Sequence, residues 1–593
     1  MILSLPRRPA CPRSGLLRSG LLRSAAVLAL CALLAAPAPA QEVDEAPAAP
    51  IGDVGAYLAA RNAEAHGDFR ASADFFARAA EADPGNLMLL EALLFATLNL
   101  GEIEAAAAAA DTIEAAGGVS QLVDFALLAR SALAEDYGGF VKSVEDGRSV
   151  GPVFDRLALG WAEIGQGRMS EALAHFDAIA ASRGFEAYGL YHKALAIAMA
   201  GDFEGADRIL SVEAEGPLNL NRRGVEAHAQ ILSQLERNQD ALALLDRAFG
   251  PAPEPVVDAL RARLAAGEPV PFDSVTSARD GIAEVYFSLA TLLMGEADPA
   301  FTLLNSRAAM ALRPDHVEAL LLSAGMLEQL NQYDLAVEIY AQIPSDHPAH
   351  YSAEIGRADA LYAAGRVDAA IEALRALTRS HGDLLLVQAS LADMLRREER
   401  WQEALTVYDT AIGMIDAAPE RGHWTLYFTR GICHERLDQD DASEADMRRA
   451  LELNPGQPQV LNYLGYSMLE RGVNPEEALS LIEQAVAAQP DAGYIIDSLA
   501  WAYFVLGRYG EALAPMERAS VLEPVDPVVT DHLGDVYWMN GRKREAEFQW
   551  HRALSFGPEE KDAARIRRKL EIGLDAVMAE EGPQAGNGSA QGN

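Results

Sequence analysis

The chain has 593 residues, half of them hydrophobic but only 7% aromatic, so alanine and leucine carry the apolar fraction. That length exceeds one ordinary core and implies several domains or a repeat array, and small apolar side chains favour closely packed helices. A net charge of −38 repels nucleic acid and anionic lipid and leaves protein or peptide segments, basic or apolar, as the partners it suits; the alternative, that the acids only keep a long helical surface soluble, stays open.

Residues 1–40 read as a secretory leader. Arg7, Arg8, Arg13, Arg18 and Arg23 stand without an acid, an apolar run follows from Ala25 to Ala36, and Ala38-Pro39-Ala40 precedes Gln41. The run is shorter than the ~20 residues a spanning helix needs. Cleavage between Ala40 and Gln41 would leave a periplasmic or otherwise exported chain with a flexible start at 41–52. Five arginines leave with the leader, so 49 − 5 = 44 basic residues face 87 acids, a mature charge of −43. Leu30 before Cys31 argues against a lipoprotein anchor. Cys433 is then the single thiol and reads as a packed core residue, and no later stretch is long enough to cross a membrane.

From Asp53 onward the sequence repeats with a step of 34 residues. That step links Gly67 to Gly101, Gly167 to Gly201, and the series Tyr333, Val367, Trp401 and Ala336, Ala370, Ala404. It lays Leu499, Ala500, Tyr503, Gly507, Ala512, Met516 and Pro524 over Leu533, Gly534, Tyr537, Gly541, Ala546, Trp550 and Pro558. Each unit predicts two amphipathic helices and a short turn: in the unit from Gly493, helix A over Tyr494–Leu506, a stop at Gly507, and helix B over Tyr509–Leu522. Clear units begin near Asp53, Val153, Ala187, Arg222, Val317, Tyr351, Leu385, Trp424, Pro458, Gly493 and Pro527. The stretch 87–152 is helical with little of the pattern, the unit near Ala283 is weak, and Val473-Asn474-Pro475 holds one extra residue. Prolines 251, 253, 255, 269 and 271 mark 251–282 as a linker or break, with a short helix near Val257–Ala265, between an N-terminal segment (53–250) and a C-terminal array (283–558). Residues 559–581 read as a capping helix and 582–593 as a disordered tail.

This pattern resembles the tetratricopeptide-repeat (TPR) family. The resemblance implies an all-α, right-handed superhelical solenoid of helix-turn-helix units whose A helices line a concave groove with their second, fifth, ninth and twelfth positions. In the last three full units these are Asn462, Tyr466, Tyr494, Asp497, Trp501, Phe504, Asp531, Asp535 and Trp538; in the unit from Val153, Phe154, Trp161 and Ile164 are equivalent. Rings beside carboxylates suit a peptide with apolar and basic residues, or a glycan; the alternative for each ring is packing between neighbouring A helices. A basic patch (Arg542, Lys543, Arg544, Arg552, Arg565, Arg567, Arg568, Lys569) is either a solvated face or a dock for an acidic surface.

No catalytic constellation accompanies the repeats. HExxH, Gly-x-Ser-x-Gly and GxxxxGK[ST] are missing, Asp438-Gln439-Asp440-Asp441 lacks the glycine and closing glutamate of a calcium loop, and nothing of domain size is left for an enzyme. The expectation is a scaffold without cofactor, metal or catalytic residues. Leu461–Tyr466, Asp497–Trp501 and Asp531–Trp538 look like the C-terminal repeats of large proteobacterial envelope TPR proteins, including adaptors that bring substrates to a C-terminal processing protease. That likeness implies an adaptor role, with a part in envelope biogenesis or polysaccharide export, peripheral to a membrane complex, as the alternative.

Overall fold

The computed structural model describes residues 53–211, 221–250, 254–415 and 417–582. The expected leader (1–40), the flexible start (41–52), Pro251, Pro253 and the tail from 583 lie outside the described residues. Among those described there is no strand, and no helix is long and apolar enough to cross a membrane.

The helices follow as α1 (Val54–Ala65), α2 (Phe69–Ala82), α3 (Leu87–Leu100), α4 (Ile103–Ala115), α5 (Gln121–Leu133), α6 (Tyr137–Glu145), α7 (Pro152–Gly165), α8 (Met169–Ala180), α9 (Glu186–Met199), α10 (Phe203–Leu210), α11 (Arg222–Gln234), α12 (Asn238–Phe249) and α13 (Pro255–Ala265). Then come α14 (Ala278–Leu293), α15 (Pro299–Leu312), α16 (Val317–Gln329), α17 (Tyr333–Tyr340), α18 (His350–Ala363), α19 (Val367–Ser380), α20 (Leu385–Arg397), α21 (Trp401–Ile415) and α22 (Trp424–Arg436). The last are α23 (Asp440–Leu453), α24 (Pro458–Glu470), α25 (Pro475–Ala488), α26 (Gly493–Val505), α27 (Tyr509–Leu522), α28 (Pro527–Met539), α29 (Lys543–Ser555), α30 (Glu560–Ile572) and α31 (Leu574–Glu581).

One local rule makes the hairpins. Each A–B turn needs a residue at positive φ, because the chain must leave helix A through a left-handed step. Glycine supplies it at 67, 167, 201, 365, 507 and 541. Asn331, Glu399 and Asp438 supply it at the same place in their units, with φ of 59°, 57° and 56°. The extra residue after α24 gives that turn two left-handed positions, Gly472 and Asn474, before Pro475 opens α25. Ala358, Ala392, Ala404, Ala500 and Ala512 are fully buried and let A and B helices close up.

Successive A helices (odd-numbered to α11, even-numbered from α14) also touch one another, as in α3 with α5, α7 with α9, α18 with α20 and α24 with α26. The A side is therefore the inner, concave face of the stack, and the B helices fan outward.

The proline-rich stretch is a pinned strap. After α13, Val270 donates its N–H to Ser233 Oγ (2.9 Å) and accepts from Gln234 Nε2 (2.6 Å); Gln230 Oε1 accepts from the Ser274 hydroxyl (2.8 Å), and Arg313 donates to the Ser274 carbonyl (2.5 Å). Val270 and Val275 are buried. Across the strap the packing is continuous: one hydrophobic cluster runs from Ala56 to Ala360. The cause is a return of the chain. The hairpin α14–α15 packs on α3, α5, α7 and α9 as well as on α16, and Arg70 of α2 pairs with Glu338 of α17 at 2.9 Å. The unit near Ala283 reads from sequence as weak; 280–288 and 302–310 form unbroken buried runs, the mark of helices enclosed on every side.

Candidate interaction grooves

The N-terminal concave face is filled by the chain itself. Phe154 and Trp161, expected to line an open groove, are buried beneath α14, and Ile164 is half-buried. A Cβ on Gly281 would lie 2.0 Å from the Trp161 ring, so only glycine lets α14 settle on α7. The Tyr286 ring sits 5.1 Å from Phe125 and 4.6 Å from Phe154. The Trp161 indole donates to His192 Nδ1 (3.0 Å), which puts the imidazole proton on Nε2, facing Ser288 Oγ of α14 at 3.4 Å. Burial pulls His192 down to about 4, so it stays neutral in this role.

Polar groups fix the same seat. Glu284 of α14 accepts from the Tyr191 hydroxyl (3.0 Å) and from Arg223 (2.9 Å), and Arg223 also reaches Glu318 (2.7 Å). Burial opposes ionisation of Glu284, but Arg223 and His316 overcome it and hold the carboxyl well below its ordinary range. Arg307 of α15 donates to the Asn99 carbonyl at the end of α3 (3.1 Å); burial lowers its guanidinium to about 10.

The C-terminal end is likewise closed on itself. Lys569 of α30, fully buried, bridges Asp531 (2.7 Å) and Asp535 (2.7 Å) of α28. Asp535 also accepts from the Trp550 indole (2.9 Å), and Arg565 stands 3.5 Å away. His532 contacts Asp497 (3.1 Å) and stacks on Trp501 with ring centroids 3.9 Å apart; Trp501 stacks in turn on Phe504 at 4.7 Å. Burial works against the His532 charge, yet Asp497, Asp531 and Asp535 hold its imidazole above the ordinary value. The expected capping helix is two helices. Gly573 (φ +83°) turns the chain over the Trp538 ring, which a Cβ there would meet at 2.7 Å, and Asp575 accepts the Trp538 indole N–H (2.9 Å).

Between these closed ends the concave face of α16–α24 is open. Leu321, Ile355, Phe428 and Ile432 are half-buried at inward positions and Leu386 is 50% exposed. Carboxylates run beside them. Tyrosine hydroxyls donate to several: Tyr340 to Glu328 (2.6 Å), Tyr408 to Asp393 (2.5 Å), Tyr463 to Glu435, and Tyr466 to Glu470. Asp359 is met by Arg397 at 3.4 Å and Asp393 by Arg396 at 3.5 Å. Burial pushes Glu328, Asp359 and Glu470 above the usual carboxylate range. Asn462 Oδ1 is buried without a hydrogen-bond partner.

Residues 318–350, 355–422, 425–457 and 470–527 match family models described as tetratricopeptide repeat. These segments of the chain are tetratricopeptide repeats. It is 28% identical over 185 residues, 30% of its length, to the TPR repeat-containing protein PA4667 of Pseudomonas aeruginosa, and spans only 29% of that relative. Among solved structures it is similar to a chain of the APC/C hetero-tetramer Cut9–Hcn1 (14% identity, 88% of this chain and 96% of that one, TM-score 0.37). It is also similar to a tetratricopeptide repeat protein from Parabacteroides merdae (15% identity, 49% and 98%, TM-score 0.33).

In this chain the residues expected to form the groove divide into two groups. Asn462 and Tyr466 (half-buried) and Tyr494 (46% exposed) reach the concave face. Asp497, Trp501, Phe504, Asp531 and Asp535 do not: they are buried among neighbouring TPR helices, where the chain's own cations and rings saturate them. Trp538 is covered by the α30–α31 turn. In the basic patch Arg565 and Lys569 dock on buried acids of the chain, and Arg542, Lys543, Arg567 and Arg568 pair with its more exposed carboxylates. Sequence reasoning passed over Leu386, Phe428, Ile432 and Glu435, although they hold the same TPR positions in the units from Leu385 and Trp424. Asp438–Asp441 lies at the turn into α23, and no metal-holding cluster occurs among the described residues.

Proposed function

We propose that the chain is an exported, non-catalytic scaffold that holds a partner polypeptide on the concave face of α16–α24. The observation that carries this reading is the half-exposed leucine at 386, with Phe428 and Ile432, on the inner side of stacked TPR helices. Apolar surface that a protein leaves on a concave, repeat-built face marks an interaction site. Export is supported by the arginine-rich, acid-free start and the Ala38-Pro39-Ala40 site.

The test is affinity capture from envelope extract with the wild type and a Leu386→Asp variant. Loss of the captured proteins in a variant that melts like wild type supports the reading; an unchanged set sinks it. Delivery of substrates to an envelope protease is a finer version, supported by the motifs around Leu461, Asp497 and Asp531. It predicts that an envelope protease degrades a captured protein faster when the chain is present, and equal rates would remove it.

A further inference from the structure

The N-terminal half of this molecule shows what its concave face accepts: an α-helix, α14, lying against successive A helices. Three features make that seat. A glycine allows close approach to Trp161, an aromatic ring drops between Phe125 and Phe154, and a charged side chain pairs with groups on the groove.

The central face has the same A-helix layer with different contents. At the position that Trp161 fills in its unit, the unit from Val317 has Gly325, whose missing Cβ would meet nothing within 4 Å. The floor is therefore open at that point, with no ring standing where Trp161 stands in its unit. The charge is also reversed. Around α14 the groove supplied Arg223 to an acidic guest; on the central face Glu328 and Glu435 are met by tyrosine hydroxyls, which orient a carboxylate without neutralising it. Asp359 and Asp393 are met by Arg397 and Arg396, at 3.4 and 3.5 Å.

We propose that the face formed by α16–α22 receives an amphipathic α-helix of a partner protein, its apolar side inward and lysine or arginine along its edge. The inference rests on the reading of this face as the partner site and adds the guest's form and charge. A helix meets the apolar floor at intervals of three and four residues, and its cations supply counter-charge beside Glu328 and Glu435.

The test uses the full-length chain and three fluorescent 18-residue peptides: an amphipathic Leu/Lys helix, the matching Leu/Glu helix, and a Leu/Lys peptide of scrambled order. The Leu/Lys helix is expected to bind at least tenfold tighter than either control, and more weakly as salt rises. Glu328→Gln with Glu435→Gln, and separately Leu386→Asp, should each lower that affinity at least tenfold, whereas Val521→Asp, on an exposed B-helix surface, should leave it unchanged. Binding of the Leu/Glu helix, abolished by Leu386→Asp, would overturn the charge assignment and leave the groove reading standing. Equal binding of the scrambled peptide would overturn the helical form. No peptide binding, together with protein capture that Leu386→Asp leaves intact, would remove both readings.

Discussion

Four turns hold an acidic residue where the backbone asks for glycine, Glu135, Glu236, Glu399 and Asp438. Glu399 and Asp438 sit at φ of 57° and 56°, a conformation that costs a residue with a side chain about 1–2 kcal/mol. Replacing Glu399 by glycine relieves that strain at some cost in unfolded-chain entropy, so Glu399→Gly is expected to stabilise by about 0.5–1 kcal/mol in urea unfolding. His192 gives a pH prediction. Its folded value of about 4 lies below the ordinary 6.5. As pH falls the unfolded chain therefore takes the proton first. Stability that is full above pH ~6.5 drains away towards pH ~4, by up to about 3 kcal/mol. His192→Gln retains an acceptor for the Trp161 indole but cannot titrate. Its melting temperature should fall less than that of wild type between pH 7 and pH 4.5; parallel slopes would deny His192 this role. At this scale the sequence carried half the message. The 34-residue step places Arg565 and Lys569 directly after Asp531 and Asp535, so a cation answering each acid was readable. The acids were nevertheless assigned to a guest, because spacing shows which residues share a face but not what covers it.

Among the elements, the helix pairs and their turns were legible because they rest on local rules: the unit from Gly493 forms α26 and α27 within a residue of expectation. The seating of α14 was not. Its contacts reach back more than a hundred residues, to Phe125, Phe154 and Trp161, and no local period encodes such a return. The mostly apolar character of 281–293, broken by Glu284, Ser288 and Thr291, was the available sign. Gly281→Leu is expected to drive a side chain into Trp161 and destabilise the protein by about 2–3 kcal/mol, read by tryptophan fluorescence in denaturant. Two-step unfolding, with the N-terminal half melting first, would show that α14 holds the N-terminal array in shape. At the other end, Lys569→Met leaves Asp531 buried without its cation and Asp535 with only Arg565, 3.5 Å away. A loss of about 3–5 kcal/mol and fast amide exchange across α30–α31 should follow; exchange unchanged from wild type would mean that hydrophobic contacts alone hold the cap.

At the scale of the whole molecule, one repeating unit is put to three uses. The N-terminal array closes around the chain's own hairpin, the last repeats close under α30 and α31, and the repeats between them keep an accessible inner face. The strap at 266–277 hydrogen-bonds along α11, in the stretch where the prolines suggest a linker or superhelix break. Family, helix content and repeat phase were thus written in local sequence, while the location of the open face depended on which grooves the chain fills by itself. Hydrogen exchange of the full chain, with and without a protein recovered by affinity capture, addresses that division most directly. Slowed exchange confined to α18, α20 and α22, with α5, α7 and α9 unchanged, is the predicted result; new protection on α5–α9 or on the outer B helices would contradict it.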